Sequence, residues 1–80
     1  MVDIEKILLD AGIKPTAIRL MAMKEIITMG HAFTLTEMEE RLDTVDKSTL
    51  FRTLTLFLEH KLIHEVQIGS HSRLYCRCEC

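Results

Sequence analysis

The segment "STLFRTLTLFLEH" restricts the possible folds of this chain more than any other. At 100° per residue, Leu54, Phe57 and Leu58 fall within about 80° of Leu50, so residues 49 to 60 form a helix with one apolar arc. Such an arc must be laid against other elements, and Ser48 or Asp46 is suited to cap the helix start. Outside the arc, Phe51, Thr55, Ser48 and Arg52 fall between roughly 100° and 200° and form one adjacent patch. Leu56, at about 240°, also lies off the arc, which leaves open a helix buried on several sides with Phe51 at the flank of the core.

The rest of the chain supplies the partners for that arc. Asp3 is placed to cap a first helix carrying Ile4, Ile7, Leu8 and Ala11, which Gly12 and Ile13 end as a left-handed cap. Pro15-Thr16 starts a second helix, with Leu20, Met23, Ile26 and Ile27 at helical spacing until Gly30 stops it. "HAF" is a connector, and Thr34 with Glu37 three residues on forms a capping box for a short helix that runs through Met38 to Leu42. After the polar turn "DTVDK" and the longer helix, "LIHEVQI", "GSHS" and "RLYCRC" have the pattern of strand, tight turn and strand. A two-stranded hairpin is too small to stand alone and must pack on the helices. The order gives an α+β fold: a winged helix-turn-helix of three to four helices followed by a two-stranded antiparallel β-hairpin wing.

Eighty residues suit one small domain, so nearly all the apolar side chains must serve one core. The expected division is a winged-helix domain over 1–75 and a cysteine-containing tail over 76–80. No apolar run approaches the roughly 20 residues that span a bilayer, and "MVDIEKILLDAG" is acidic and interrupted by charges, unlike a signal peptide. The expected location is the cytoplasm. There is no glycine-rich phosphate loop, no nucleophile with a positioned base and no paired acids, so the expectation is a binding protein and not an enzyme.

A net charge of −2 opposes nucleic-acid binding, which draws its affinity from Lys and Arg against phosphate. Distribution counts for more than the sum. Acidic residues gather in "TEMEERLDTVD", while Lys14, Arg19, Lys24, Lys47, Arg52, Arg73 and Arg77 lie before and after it, so a locally positive face is compatible with an acidic molecule. On the helix patch, a hydroxyl can meet phosphate, the Arg52 fork suits the acceptor edge of guanine or a phosphate pair, and the Phe51 ring can lie on a thymine methyl. Two other functional classes fit parts of the sequence. The acidic block and Phe51 suit a protein-interaction module, and the terminal "CRCEC" suits a small thiol-based metal or redox protein.

Three motifs in register resemble the DNA-binding half of the ferric uptake regulator family. "GIKPTAIRLMAM" is similar to its G-[IL]-[KR]-x-T-x-x-R opening, "FTLTEMEERL" to its short helix [VL]-S-A-E-[DE]-L-x-x-x-L, and "STLFRTLTLF" to its recognition helix A-T-V-Y-R-x-L-x-x-F. The resemblance implies a winged helix that enters the major groove of double-stranded DNA at an A/T-rich half-site. By position, Phe51 replaces the family's Tyr, keeping the ring and losing the hydroxyl, and Arg52 matches its Arg. Lys14 matches a basic residue that reaches toward the minor groove, and Arg19 lies one turn on, where it can hold a phosphate. Thr16, Ser48, Thr49 and Thr55 complete the implied DNA-binding set on the helices, and Arg73 beside "GSHS" places the wing on the backbone.

Members of that family sense metal and form homodimers through a second domain after the wing, so residues 76–80 correspond to the start of that domain and zinc to a cofactor of a longer parent. Cys76, Cys78 and Cys80 are the candidate ligands. In an extended strand their thiols share one face about 6 to 7 Å apart. That is too far for a single tetrahedral zinc at about 2.3 Å from each sulfur unless the chain turns. His31 is expected to be a solvated connector residue, and His60, His64 and His71 have no recognised ligand spacing.

Overall fold

In the computed structural model, which describes residues 3–69 and 72–77, each helix starts at a side-chain cap. Asp3 accepts from the Lys6 amide ahead of α1 (Ile4–Asp10), and Thr16 from the Arg19 amide ahead of α2 (Ala17–Met29). Thr34 accepts from the Glu37 amide ahead of α3 (Leu35–Arg41). Asp46, not Ser48, caps α4 (Lys47–Glu59), accepting from the amides of Ser48 and Thr49, so the helix starts two residues before the expected position. A carboxylate at that cap satisfies orphan N–H groups and complements the positive end of the helix dipole. The expected capping box forms on one side: Thr34 Oγ1 takes the Glu37 amide at 3.1 Å, while the Glu37 carboxylate lies 3.9 Å from Nε2 of exposed His31.

Two helices end in the same six-residue device. After α1, Gly12 has φ +81°, its amide donates to Leu9 O at 3.0 Å and the Ile13 amide to Leu8 O at 2.8 Å. This Schellman ending brings two apolar residues, Leu8 and Ile13, into the buried cluster. After α4 the left-handed position is taken by Lys61, with φ 62°; its amide donates to Leu58 O at 3.1 Å and the Leu62 amide to Phe57 O at 2.9 Å. A side chain with a Cβ is strained there, whereas glycine is not.

The helix α2 touches α1, α3 and α4, and it contributes Ala22, Met23 and Ile26 to the core. Met38 and Leu42 close the core from α3, and Leu50, Leu54 and Phe57 from α4, the last three fully buried. Burial of each such side chain is worth about 1.5–3 kcal/mol.

Strands β1 (Ile63–Ile68) and β2 (Ser72–Arg77) pair antiparallel, with Ile63 opposite Arg77 and Val66 opposite Leu74, and Gly69 at φ +70° opens the turn. Ile63 and Tyr75 are on the face that meets the helices, and both are buried. The connector before α3 contributes more than its sequence promised: Phe33 pairs with Tyr75 through two backbone bonds, 2.9 Å and 2.7 Å, and their rings stack with centroids 5.8 Å apart. That bridge ties the hairpin to the helical body. Burial, then the charge of Glu65, raises the phenol pKa of Tyr75 above its usual value. β2 runs through Cys76 and Arg77, as the expected strand "RLYCRC" requires of these residues. Among the described residues, no helix is long and apolar enough to cross a membrane.

Replacing Lys61 with glycine relieves the left-handed position, so Lys61→Gly is expected to stabilise the fold by about 1 kcal/mol in urea denaturation. A lower urea midpoint would show that the Lys61 conformation costs nothing.

Candidate nucleic-acid interface

Burial of one side of α4 sets what its other side offers. Leu50, Leu54, Phe57 and Thr53 face the core, and the Thr53 hydroxyl donates to Thr49 O at 2.9 Å, so a polar group is accommodated there without an unmet bond. The opposite side carries Ser48, Phe51, Arg52, Thr55 and Glu59. Phe51 is 49% exposed, far more than a core residue, and Arg52 is exposed and paired with no carboxylate among the described residues. Phe51 is therefore not a flanking core residue, the alternative that the sequence left open. Leu56 is half-buried and packs against the edge of the core.

Between the outer side of α4 and the first turn of α2 runs a groove of ≈ 550 Å³. Thr16 and Arg19 from α2 face Thr49, Phe51, Arg52 and Thr55 from α4 across it, so six of the nine candidate residues meet in one concavity. The sequence did not mark Ile18 and Leu56, which supply apolar wall, because neither belongs to a polar patch. Ser48 and Lys14 lie outside the lining and are exposed. Arg73 lies outside it too, on the hairpin, with its guanidinium 3.4 Å from the Glu65 carboxylate.

The cations differ in how far the protein itself engages them. Arg41 is held 3.4 Å from Glu25 and Arg73 from Glu65, so part of each charge is met within the protein. Lys14, Lys47 and Arg52 have no ion pair among the described residues and remain available to an outside anion. Two carboxylates oppose them. Asp46 is engaged in capping α4. Glu59 shares the groove with Arg19 and Arg52, where it disfavours phosphate at that end.

The hydroxyls are not equivalent. Thr55 Oγ1 donates to Phe51 O at 2.8 Å, so its proton is committed inside the helix, whereas Thr16 Oγ1 accepts from the Arg19 amide and keeps its own proton. The hydroxyls of Ser48 and Thr49 make no such bond among the described residues. Cys76 stands opposite His64 in the hairpin register. Cys78 and Cys80 lie outside the described residues, and among the described residues no three metal-ligating side chains come together.

No protein-family profile matches the chain, and no curated protein matches it. Among solved structures, the fold is similar to that of the Vibrio cholerae ferric uptake regulator, with a TM-score of 0.86 at 19% identity over 96% of this chain and 63% of that one. It is also similar to PerR from Streptococcus pyogenes, with a TM-score of 0.79 at 14% identity over 95% of this chain and 58% of that one. The first is described through rearrangement of its DNA-binding domains, the second through peroxide sensing and gene regulation. This chain thus spans less than two thirds of either protein. At these identities the likeness is one of fold, and it agrees with the winged helix implied by the three motifs.

Truncating the two sides of α4 should separate them by stability. Leu54→Ala is expected to cost about 2–5 kcal/mol in urea denaturation, and Phe51→Ala less than about 1 kcal/mol. Similar losses for both would mean that Phe51 belongs to the core.

Proposed function

We propose that this chain binds double-stranded DNA sequence-selectively, as the DNA-binding domain of a metal-responsive transcription regulator of the ferric uptake regulator type. The observation that carries the proposal is the exposed pair Phe51 and Arg52 on the outer side of a helix whose inner side is sealed. A half-exposed aromatic ring beside an unpaired guanidinium recovers only part of the stability that full burial of the ring would give. Both groups, however, match what a major groove presents: the ring meets thymine methyls and the fork meets the O6 and N7 acceptors of guanine. A fold shared with two regulators, one of them described by its DNA-binding domains, supports the same reading.

In this reading α4 enters the major groove, Phe51 and the apolar wall of the groove favour an A/T-rich half-site, and Arg52 selects a base edge. Lys14, Arg19, Ser48 and Thr49 hold phosphates on either side, with Thr16 shaping the start of α2. Arg73 on the hairpin meets the backbone once its bond to Glu65 is exchanged for one to phosphate. Thr55 contributes packing, since its proton is already used. The reading extends to a homodimeric parent in which residues 76–80 open a metal-sensing part, with zinc drawing on Cys76, Cys78, Cys80 and ligands beyond the described residues. Zinc there would hold thiolates together and couple metal supply to assembly.

Titration of a labelled A/T-rich duplex at two salt concentrations tests the proposal. Steep salt dependence is expected for the unaltered chain, and Arg52→Ala should cost about 1–3 kcal/mol on the preferred sequence and flatten base preference. Equal losses on every sequence would remove base reading from Arg52. No binding at low salt would overturn DNA binding itself and favour a protein partner for the acidic block.

A further inference from the structure

Residues 13–16, between α1 and α2, belong to no helix or strand. The Lys14 carbonyl therefore lacks the partner that regular structure provides. It accepts instead from Arg19 Nη1 at 3.1 Å, a charge-assisted bond that folds a side chain from the first turn of α2 back over the segment that leads into it. Other constraints act on the same few residues. Pro15 fixes its own φ and confines Lys14 to extended conformations. The Arg19 amide is held by Thr16 Oγ1 at 3.4 Å, which anchors the residue whose guanidinium reaches back.

The two cations consequently differ in kind. Arg19 is half-buried, lines the groove beside α4 and has part of its hydrogen-bonding capacity occupied by the protein itself. Lys14 is exposed, and its ammonium has no ion pair among the described residues. A flexible lysine on an irregular segment loses much conformational freedom on meeting a phosphate, and a backbone already fixed lowers that cost.

We propose that Arg19 is a positioning residue for Lys14: the bond from its guanidinium to the Lys14 carbonyl fixes the segment before α2 and so directs the Lys14 ammonium at the nucleic-acid backbone. This rests on the DNA-binding reading above and goes beyond it, because it makes the contribution of Lys14 conditional on Arg19. Two cations that met phosphates independently would contribute additively, whereas a residue that acts through another does not.

The test is a double-mutant cycle in the full chain, with Lys14→Ala, Arg19→Gln and the double variant titrated against a labelled A/T-rich duplex at several salt concentrations. Lys14→Ala is expected to weaken binding at least about threefold in the wild-type background and less than about 1.5-fold in the Arg19→Gln background. The salt slope should fall by about 1 on Lys14→Ala in the wild type and not fall further on adding it to Arg19→Gln. Loss of fold cannot imitate this result if circular dichroism melting shows Arg19→Gln intact. Should that variant melt early, Arg19→Met, which keeps the aliphatic stem, takes its place in the same cycle. An equal factor for Lys14→Ala in both backgrounds, or no effect in either, overturns the positioning role while DNA binding stands. A wild-type chain that binds no duplex at low salt overturns both.

Discussion

The packing of Leu50, Leu54 and Phe57 against α2 and β1 decides the rotation of α4 about its own axis, and the surface chemistry of the molecule depends on that rotation. With three side chains fully buried on one side, a turn of the helix by a quarter would expose two leucines and bury a guanidinium without a partner. The first costs several kcal/mol and the second more, since an unpaired buried charge is rarely tolerated. Phe51 and Arg52 are therefore outside because of what lies inside. Their exposure is set by the core and needs no ligand to maintain it.

Two smaller constraints align the other surfaces with that helix. The Phe33–Tyr75 bridge fastens the hairpin to the helical body, replacing a longer sheet with two backbone bonds and a ring stack. The bond from Arg19 to the Lys14 carbonyl fastens the entrance of α2 beside the groove. The molecule has an acidic total, yet Lys14, Lys47 and Arg52 carry no ion pair among the described residues, while Arg41 and Arg73 are met by Glu25 and Glu65. Net charge governs the distant field; these pairings govern contact.

Much of this fold is legible in the residues, where the cause is local. Thr34 three residues before Glu37, Gly30 after an apolar run, Gly12 followed by Ile13, and the arc through Leu50, Leu54 and Phe57 each act over one or two turns, and each appears at its expected place. The illegible features depend on residues distant in sequence or on competition between equals. Phe33 pairs with Tyr75 across the chain, and a single bridging residue has no period to recognise. Asp46 and Ser48 were both competent caps for α4, and only the geometry selects the carboxylate. Lys61 occupies a position that glycine would have announced. At the interface, the patch on α4 followed from angle alone. That Arg19 faces it across the groove, and that Thr55 has its hydroxyl committed, required the packing of α2 on α4 and a side-chain rotamer.

The most direct test of the central claim is a residue-resolved map of contact in solution. Amide chemical-shift changes on titrating an A/T-rich duplex into isotopically labelled chain should concentrate at the outer side of α4 around Phe51, Arg52 and Thr55 and at residues 14–19, and leave the acidic outer side of α3 unmoved. Shifts concentrated on α3, with α4 silent while the duplex binds, would contradict the account.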